Sequence, residues 1–179
     1  MTRESDELLT AERETARTAG RQYAVEIDLG IQWDIGAPLP FLISNGRRAA
    51  VLFHLLTSPD TEDTEDTEDT GVVVFDGARD VWFGGLNDEA LKGHPLYGAG
   101  LNFYAAHEVI DSEWITESER RNSVHEFHRP GWHQRMKHYV LCFHDDTLEC
   151  LAAGFRTERH AGDFADAVRA VSARLLDEL

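Results

Sequence analysis

The stretch Met136–Phe155 reads MKHYVLCFHDDTLECLAAGF, two runs that fold back on each other if Asp145-Asp146 is a turn. A two-residue turn there sets His144 against Thr147, Cys142 against Glu149, Val140 against Leu151 and His138 against Ala153. Directly opposed residues share a sheet face, and successive residues alternate between faces. One face then carries His138, Cys142, His144 and Glu149; the other carries Tyr139, Leu141, Phe143, Leu148 and Cys150. The second set is core packing. The first is a row of groups able to bind a metal, move protons or hydrogen-bond a ligand.

Working outward, the same period of two recurs. Tyr23, Val25, Ile27, Leu29, Ile31, Trp33 and Ile35 alternate with smaller or polar residues, which predicts a half-buried strand ended by Pro38 and Pro40 and bent at Gly30. Phe41–Ser44, Asn45-Gly46 and Arg47 onward predict a hairpin, because Asn-Gly supplies the positive φ of a type I′ turn. Its outgoing strand, Ala49–Leu56, is almost wholly apolar apart from His54, and so belongs mid-sheet with both faces covered. Gly71–Phe75, Asp76-Gly77 and Ala78–Phe83 predict a second hairpin, and Asn102–Ile110 a further strand. Asn87 can cap a short helical turn, after which a glycine-rich loop presents His94 and Tyr97. Asp111 or Ser112 caps a helix over 112–124, and Phe164, Val168, Val171, Leu175 and Leu179 mark an amphipathic helix over 163–178. Residues 1–20 have weak helical periodicity and are expected to form a loosely docked helix or a frayed end.

The chain of 179 residues fits one domain, 21–179, with a loosely ordered segment before it. The fold class that follows is α+β: a strongly twisted or partly closed antiparallel sheet of about seven or eight strands, with a mid-chain and a C-terminal helix covering one side. At 60–70 the run around TEDTEDTEDT has no apolar face to bury and is expected to be a disordered acidic loop. Its uniform three-residue repeat lacks the varied spacing and glycine turn of a calcium loop.

Net charge is −16, with 33 acidic residues against 17 basic ones. Such a field repels nucleic acid and anionic membranes, and no basic stripe in the sequence opposes it. Lys92 and Lys137 are the two lysines, against fifteen arginines. That balance suits a high-salt, halophilic cytoplasm, where self-repulsion is screened, or the codon usage of a GC-rich genome. There is no apolar run long enough to span a bilayer, and MTRESDELLTAERETARTAG has no signal-peptide core, so a cytoplasmic protein is expected. Cys142 and Cys150 fall on opposite faces of the hairpin and are expected to be free thiols.

Gly93–Ile115, GHPLYGAGLNFYAAHEVIDSEWI, and Phe143–Cys150, FHDDTLEC, resemble segments of a family of small prokaryotic proteins. The resemblance covers about the central third of the chain and implies a shared architecture. It brings no activity and no catalytic residues with it.

Six of the nine histidines lie between His107 and His144. Zinc takes roughly three or four ligands at about 2.0–2.3 Å, often from local pairs. His125 and His128 are the weak metal candidates, in a Pro/Gly loop without an HExxH or CxxC. No cofactor is expected beyond such a divalent ion. Cys142 beside His144 and Glu149 could be a nucleophile, but neighbouring carboxylates raise a thiol pKa. A His144/Glu149 pair, related diagonally on one face, is the acid–base candidate, with His107 brought across from a neighbouring strand. Otherwise the histidines satisfy turns and buried backbone groups near tryptophans. The leading expectation is a small-molecule or protein-partner binding domain with a cleft lined by His94, His107, Trp114, Trp132 and His138. The alternative is a small hydrolase using His144 and Glu149, with or without a metal.

Overall fold

The computed structural model describes residues 3–56 and 69–177. Among the described residues, nine strands form two antiparallel sheets, and three helices lie around them. The five-stranded sheet has the order β1 (Tyr23–Ile27), β6 (Ala106–Ile110), β7 (Lys137–Cys142), β8 (Thr147–Ala152) and β5 (Asp80–Phe83). The four-stranded sheet runs β2 (Phe41–Ser44), β3 (Arg48–His54), β4 (Thr70–Asp76) and β9 (Gly154–His160). The class is α+β, as expected, with the strands divided between two sheets that do not close.

The apolar run in β3 explains the layering. Ala49, Val51 and Phe53 face the other sheet and join Phe75, Tyr139, Leu141, Phe143, Leu148 and Cys150 in the inter-sheet core. Ala50 and Leu52 point the opposite way, where Ala167, Val171 and Leu175 of α3 (Phe164–Asp177) cover them. Both faces of β3 are buried, as its composition predicts. The outer face of the five-stranded sheet is covered instead by the segment after β5: Leu91, Leu96 and Leu101 pack on Ala24, Val109, Val140 and Cys142. Helix α1 (Arg3–Thr18) lies beside β1, with Ala16 fully buried. Helix α2 (Glu113–Asn122) contacts β7, so α2 and α3 serve different sheets and do not share one side as expected. Among the described residues, no helix is long and apolar enough to cross a membrane.

Three expectations change in detail. The alternating stretch 23–35 is one strand only to Ile27. Asp28 then accepts a bond from the Gly30 N–H (2.7 Å), Gly30 takes a positive φ, and the chain crosses so that Trp33 bridges Leu55 on the other sheet. Asp76-Gly77 does not close a hairpin either. It turns the corner between sheets: β4 pairs with β3 and β9, whereas β5 pairs with β8. Strands β8 and β9 turn the same corner at Ala153, clasped by Ala153 N–H to Asp76 O (2.8 Å) and Arg79 N–H to Leu151 O (2.8 Å). A bent two-chain ribbon therefore belongs to both sheets. Most of the acidic loop expected at 60–70 falls outside the described residues; Thr70, at its end, begins β4 and is buried.

The third change is in the opening hairpin. Phe143 N–H donates to Asp146 O (2.9 Å), so His144 and Asp145 take the central turn positions, one residue earlier than expected. Every pairing moves by two: Val140 faces Glu149 and His138 faces Leu151. A shift of two keeps each side chain on its face. Cys142 packs in the outer layer and Cys150 in the inter-sheet core, both free, and burial pushes both thiols up to about 12.

Candidate functional site

A row of side chains crosses the outer face of the five-stranded sheet. Strand pairing aligns Glu26, His107, Val140, Glu149 and Trp82 on β1, β6, β7, β8 and β5 in turn. His138, diagonal to Glu149 across β7 and β8, lies on the same face and reaches its carboxylate: His138 Nε2 is 2.8 Å from Glu149 Oε2. His94 comes from above. A short 3-10 turn, Leu91–Gly93, ends with His94 N–H bonded to Leu91 O (2.9 Å), and this sets the imidazole Nε2 3.4 Å from Glu149 Oε1. The His94 contact is the looser of the two.

The proton positions follow from the partners. Leu96 N–H donates to His94 Nδ1 (3.1 Å), so the ring proton of neutral His94 is on Nε2, facing Glu149. An ionised carboxylate only accepts, so His138 also carries its proton on Nε2. His138 Nδ1 then accepts a hydrogen bond from the Ser112 hydroxyl, 2.9 Å away. The same Ser112 oxygen accepts Ile115 N–H (3.3 Å) and so caps α2. Burial pushes the Glu149 carboxyl up, but the bonds and charges of His138 and His94 together outweigh that and hold it at about 2.

Above this cluster is a cavity of about 470 Å³, its wall including Gln22, Trp82 and Trp114. Trp114, in the first turn of α2, stands edge-on to the His138 ring with centroids 5.1 Å apart. Trp82 lies on Gly85, where a Cβ would meet the indole at 2.5 Å and where φ is +95°; no larger residue fits without displacing the ring. Gln22 Oε1 accepts Glu113 N–H (3.0 Å), joining the start of β1 to the start of α2.

Of the residues singled out from sequence, His94, Trp114, His138 and Glu149 meet here. His107 shares their face but lies two strands from Glu149, about 10 Å at ordinary strand spacing. It is fully buried, with Asn102 N–H donating to its Nε2 (3.0 Å), and burial above all lowers its pKa to about 4. His144 is not in the cavity. Taken into the turn, it bonds Asp145 (2.9 Å) and stacks near Tyr104; the Asp145 bond first, with Asp88 nearby, raises its pKa. The expected His144–Glu149 pair is thus replaced by His138–Glu149, a consequence of the two-residue register shift. The Trp132 side chain lies outside the described residues. Trp82 and Ser112 complete the site and were missed. Trp82 faces Glu149 because β5 pairs with β8, a strand far along the chain.

His125 and His128 lie near α2. His125 Nδ1 accepts Phe127 N–H (3.1 Å), whereas His128 Nε2 is 3.1 Å from Glu119 Oε1. His133 Nδ1 lies 3.1 Å from the other Glu119 oxygen, giving a second carboxylate between two imidazoles. Among the described residues, no three His, Cys, Asp or Glu side chains are disposed to hold a metal ion. Comparison with family models, curated proteins and solved structures gives no match to this chain.

Proposed function

We propose that the cavity beneath Trp82 and Trp114 binds a small amine-bearing or cationic organic molecule, and that the protein is a soluble, cytoplasmic binding domain rather than an enzyme. Neither nucleic acid nor a membrane is its partner in this reading, and no cofactor or divalent metal is required. The observation that carries it is the state of Glu149. Its charge is held at the cavity floor by the His138 N–H on one oxygen (2.8 Å), with His94 Nε2 3.4 Å from the other. A carboxylate has about four lone-pair sites, so acceptor capacity remains for a ligand N–H. Indole faces attract cations and supply apolar contact. His94 offers a substrate no acceptor, since its Nδ1 accepts Leu96 N–H and its Nε2 carries the proton, while His138 Nδ1 is engaged by the Ser112 hydroxyl.

Titration with tetramethylammonium and 2-phenylethylamine, followed by tryptophan fluorescence and calorimetry, tests this reading. Saturable binding that Trp82→Ala abolishes and Glu149→Gln weakens about tenfold is expected. No saturation by either amine, or equal binding of neutral benzyl alcohol, overturns it.

One observation favours a second reading. Ser112 Oγ, His138 and Glu149 form a continuous hydrogen-bonded chain, the order of groups in a serine hydrolase. Ser112 is nearly inaccessible and already caps α2. Turnover of p-nitrophenyl esters that disappears in Ser112→Ala would transfer the assignment to a hydrolase.

A further inference from the structure

A cavity of about 750 Å³ lies away from the tryptophan site, at the corner where the two sheets meet. Four arginines line it: Arg47, Arg79, Arg129 and Arg135. They come from three separate places in the sequence. Arg47 is at the tip of the β2–β3 hairpin, where Asn45 Oδ1 accepts the N–H groups of Arg47 (3.0 Å) and Arg48 (2.9 Å), and Gly46 takes a φ of +79°. Arg79 follows the Asp76-Gly77 corner. Arg129 and Arg135 flank Gly131, whose φ of +86° starts the 3-10 turn Trp132–Arg135.

Acidic residues outnumber basic ones about two to one in this chain, and several arginines have a carboxylate within reach. Arg17, Arg120, Arg121, Arg156, Arg169 and Arg174 all do. Arg47, Arg129 and Arg135 form no ion pair among the described residues, although Asp76 and Glu119 are close in the chain or the fold. Asp76 is taken by Arg156 (2.6 Å); Glu119 is enclosed by His128, His133 and Gly131 N–H. Arg47, Arg129 and Arg135 thus line one concave space with no carboxylate partner among the described residues, against the sign of the whole molecule. Pro130, Met136 and Ala153 supply apolar wall beside them. Guanidinium forks match tetrahedral oxyanions in pairs of parallel hydrogen bonds, and the cavity is within the range of about 300–1,000 Å³ used for small ligands.

We propose that this corner is a second binding site, for a phosphorylated small molecule with an apolar body. The phosphoryl oxygens lie among the arginines and the organic part on Pro130, Met136 and Ala153. It is independent of the tryptophan cavity.

Calorimetric titration of the full chain at low ionic strength with phenyl phosphate and adenosine monophosphate tests it. Saturable binding tighter than about 1 mM is expected, weakening as salt is added. The double variant Arg129→Ala/Arg135→Ala should lose at least about tenfold in affinity, and the corresponding double lysine variant should fall between, because an ammonium cannot make the bidentate contact. Glu149→Gln should bind both phosphates as the parent does, which separates this site from the other. No saturation, unchanged affinity in the double alanine variant, or equal affinity for citrate overturns the proposal. Far-UV circular dichroism checks the fold of each variant. If the double variant does not fold, Arg47→Glu at the exposed hairpin tip carries the same expectation and the same power to overturn.

Discussion

Two carboxylates in this protein each lie between two histidines, and they are alike in almost everything local. Glu149 has His138 and His94 at 2.8 and 3.4 Å; Glu119 has His128 and His133 at 3.1 Å each. Their side chains are equally shielded, 19% and 17% exposed. What differs is what carries them. Glu149 and His138 stand on paired central strands, beneath a cavity with two indole walls. Glu119 is on α2, and its partners come from the loop it holds down, with Gly131 N–H (3.3 Å) as a further donor. The first arrangement presents a charge to a space; the second fastens a loop. The same two residue types make a floor or a staple according to whether rigid elements leave room above them.

The comparison breaks most sharply at Glu149→Gln. The amide keeps its oxygen for His94, whose Nδ1 is fixed as an acceptor by Leu96 N–H, and turns its NH₂ toward His138, which must move its proton to Nδ1 and donate to Ser112 instead, so both charge-assisted bonds are lost. A loss of about 2–3 kcal/mol is expected, read as a lower denaturant midpoint at unchanged m-value. An unchanged midpoint would make Glu149 no more than a surface acid.

Acid titration separates the residues of this face next. His107, held at about 4 chiefly by burial against an ordinary value near 6.5, has a depressed folded pKa. Its contribution is fully present above pH 6.5 and is lost as pH falls toward 4, by up to roughly 3 kcal/mol. Glu149, held at about 2, stays ionised through that window and gives up its contribution only below about pH 4.5. Denaturation midpoints from pH 7 to 4 should therefore slope downward, and His107→Gln should flatten the slope even if it lowers the plateau. A flat parent profile would remove this account.

A smaller effect is expected at Glu119→Gln: about 1 kcal/mol of stability, faster proteolysis between 125 and 136, and unaltered amine binding. Loss of amine binding there would show the staple to be part of the site. Smallest is the response to KCl. Screening the excess carboxylates should raise the melting temperature by a few degrees between low and molar salt, in both variants as in the parent, because it acts on the whole surface. A flat or falling midpoint would leave codon usage as the reason for the acidic balance.

Much of the frame was legible in the residues. The doubly apolar β3, the faces of the 136–155 hairpin, the Ser112 helix and the apolar stripe of α3 follow from short-range pattern, and the structure has them. What was not legible is register and corner. Asp145-Asp146 and His144-Asp145 are equally plausible turns on composition, yet the choice decides whether His144 or His138 reaches Glu149. Asp76-Gly77 has the chemistry of a hairpin turn and turns a corner instead, because β4 finds β9 and β5 finds β8 far along the chain. Partners that distant leave no local mark, so Trp82 opposite Glu149 and Arg47 near Arg129 are invisible until the sheets are assembled.

The pairing of β4 with β9 also sets an order of events on the ribosome. Strands β2, β3 and β4 are complete at Asp76, but β9 does not begin until Gly154, nearly eighty residues later. At about 5–20 residues per second that interval is roughly 4 to 16 s. Throughout it, β4 offers a bare edge, and Ala50, Leu52, Val72 and Val74 lack the α3 helix that will cover them. The nascent four-stranded sheet is thus born as a sticky three-stranded fragment, and the last stretch of the described chain to be synthesised both closes its edge and roofs its face.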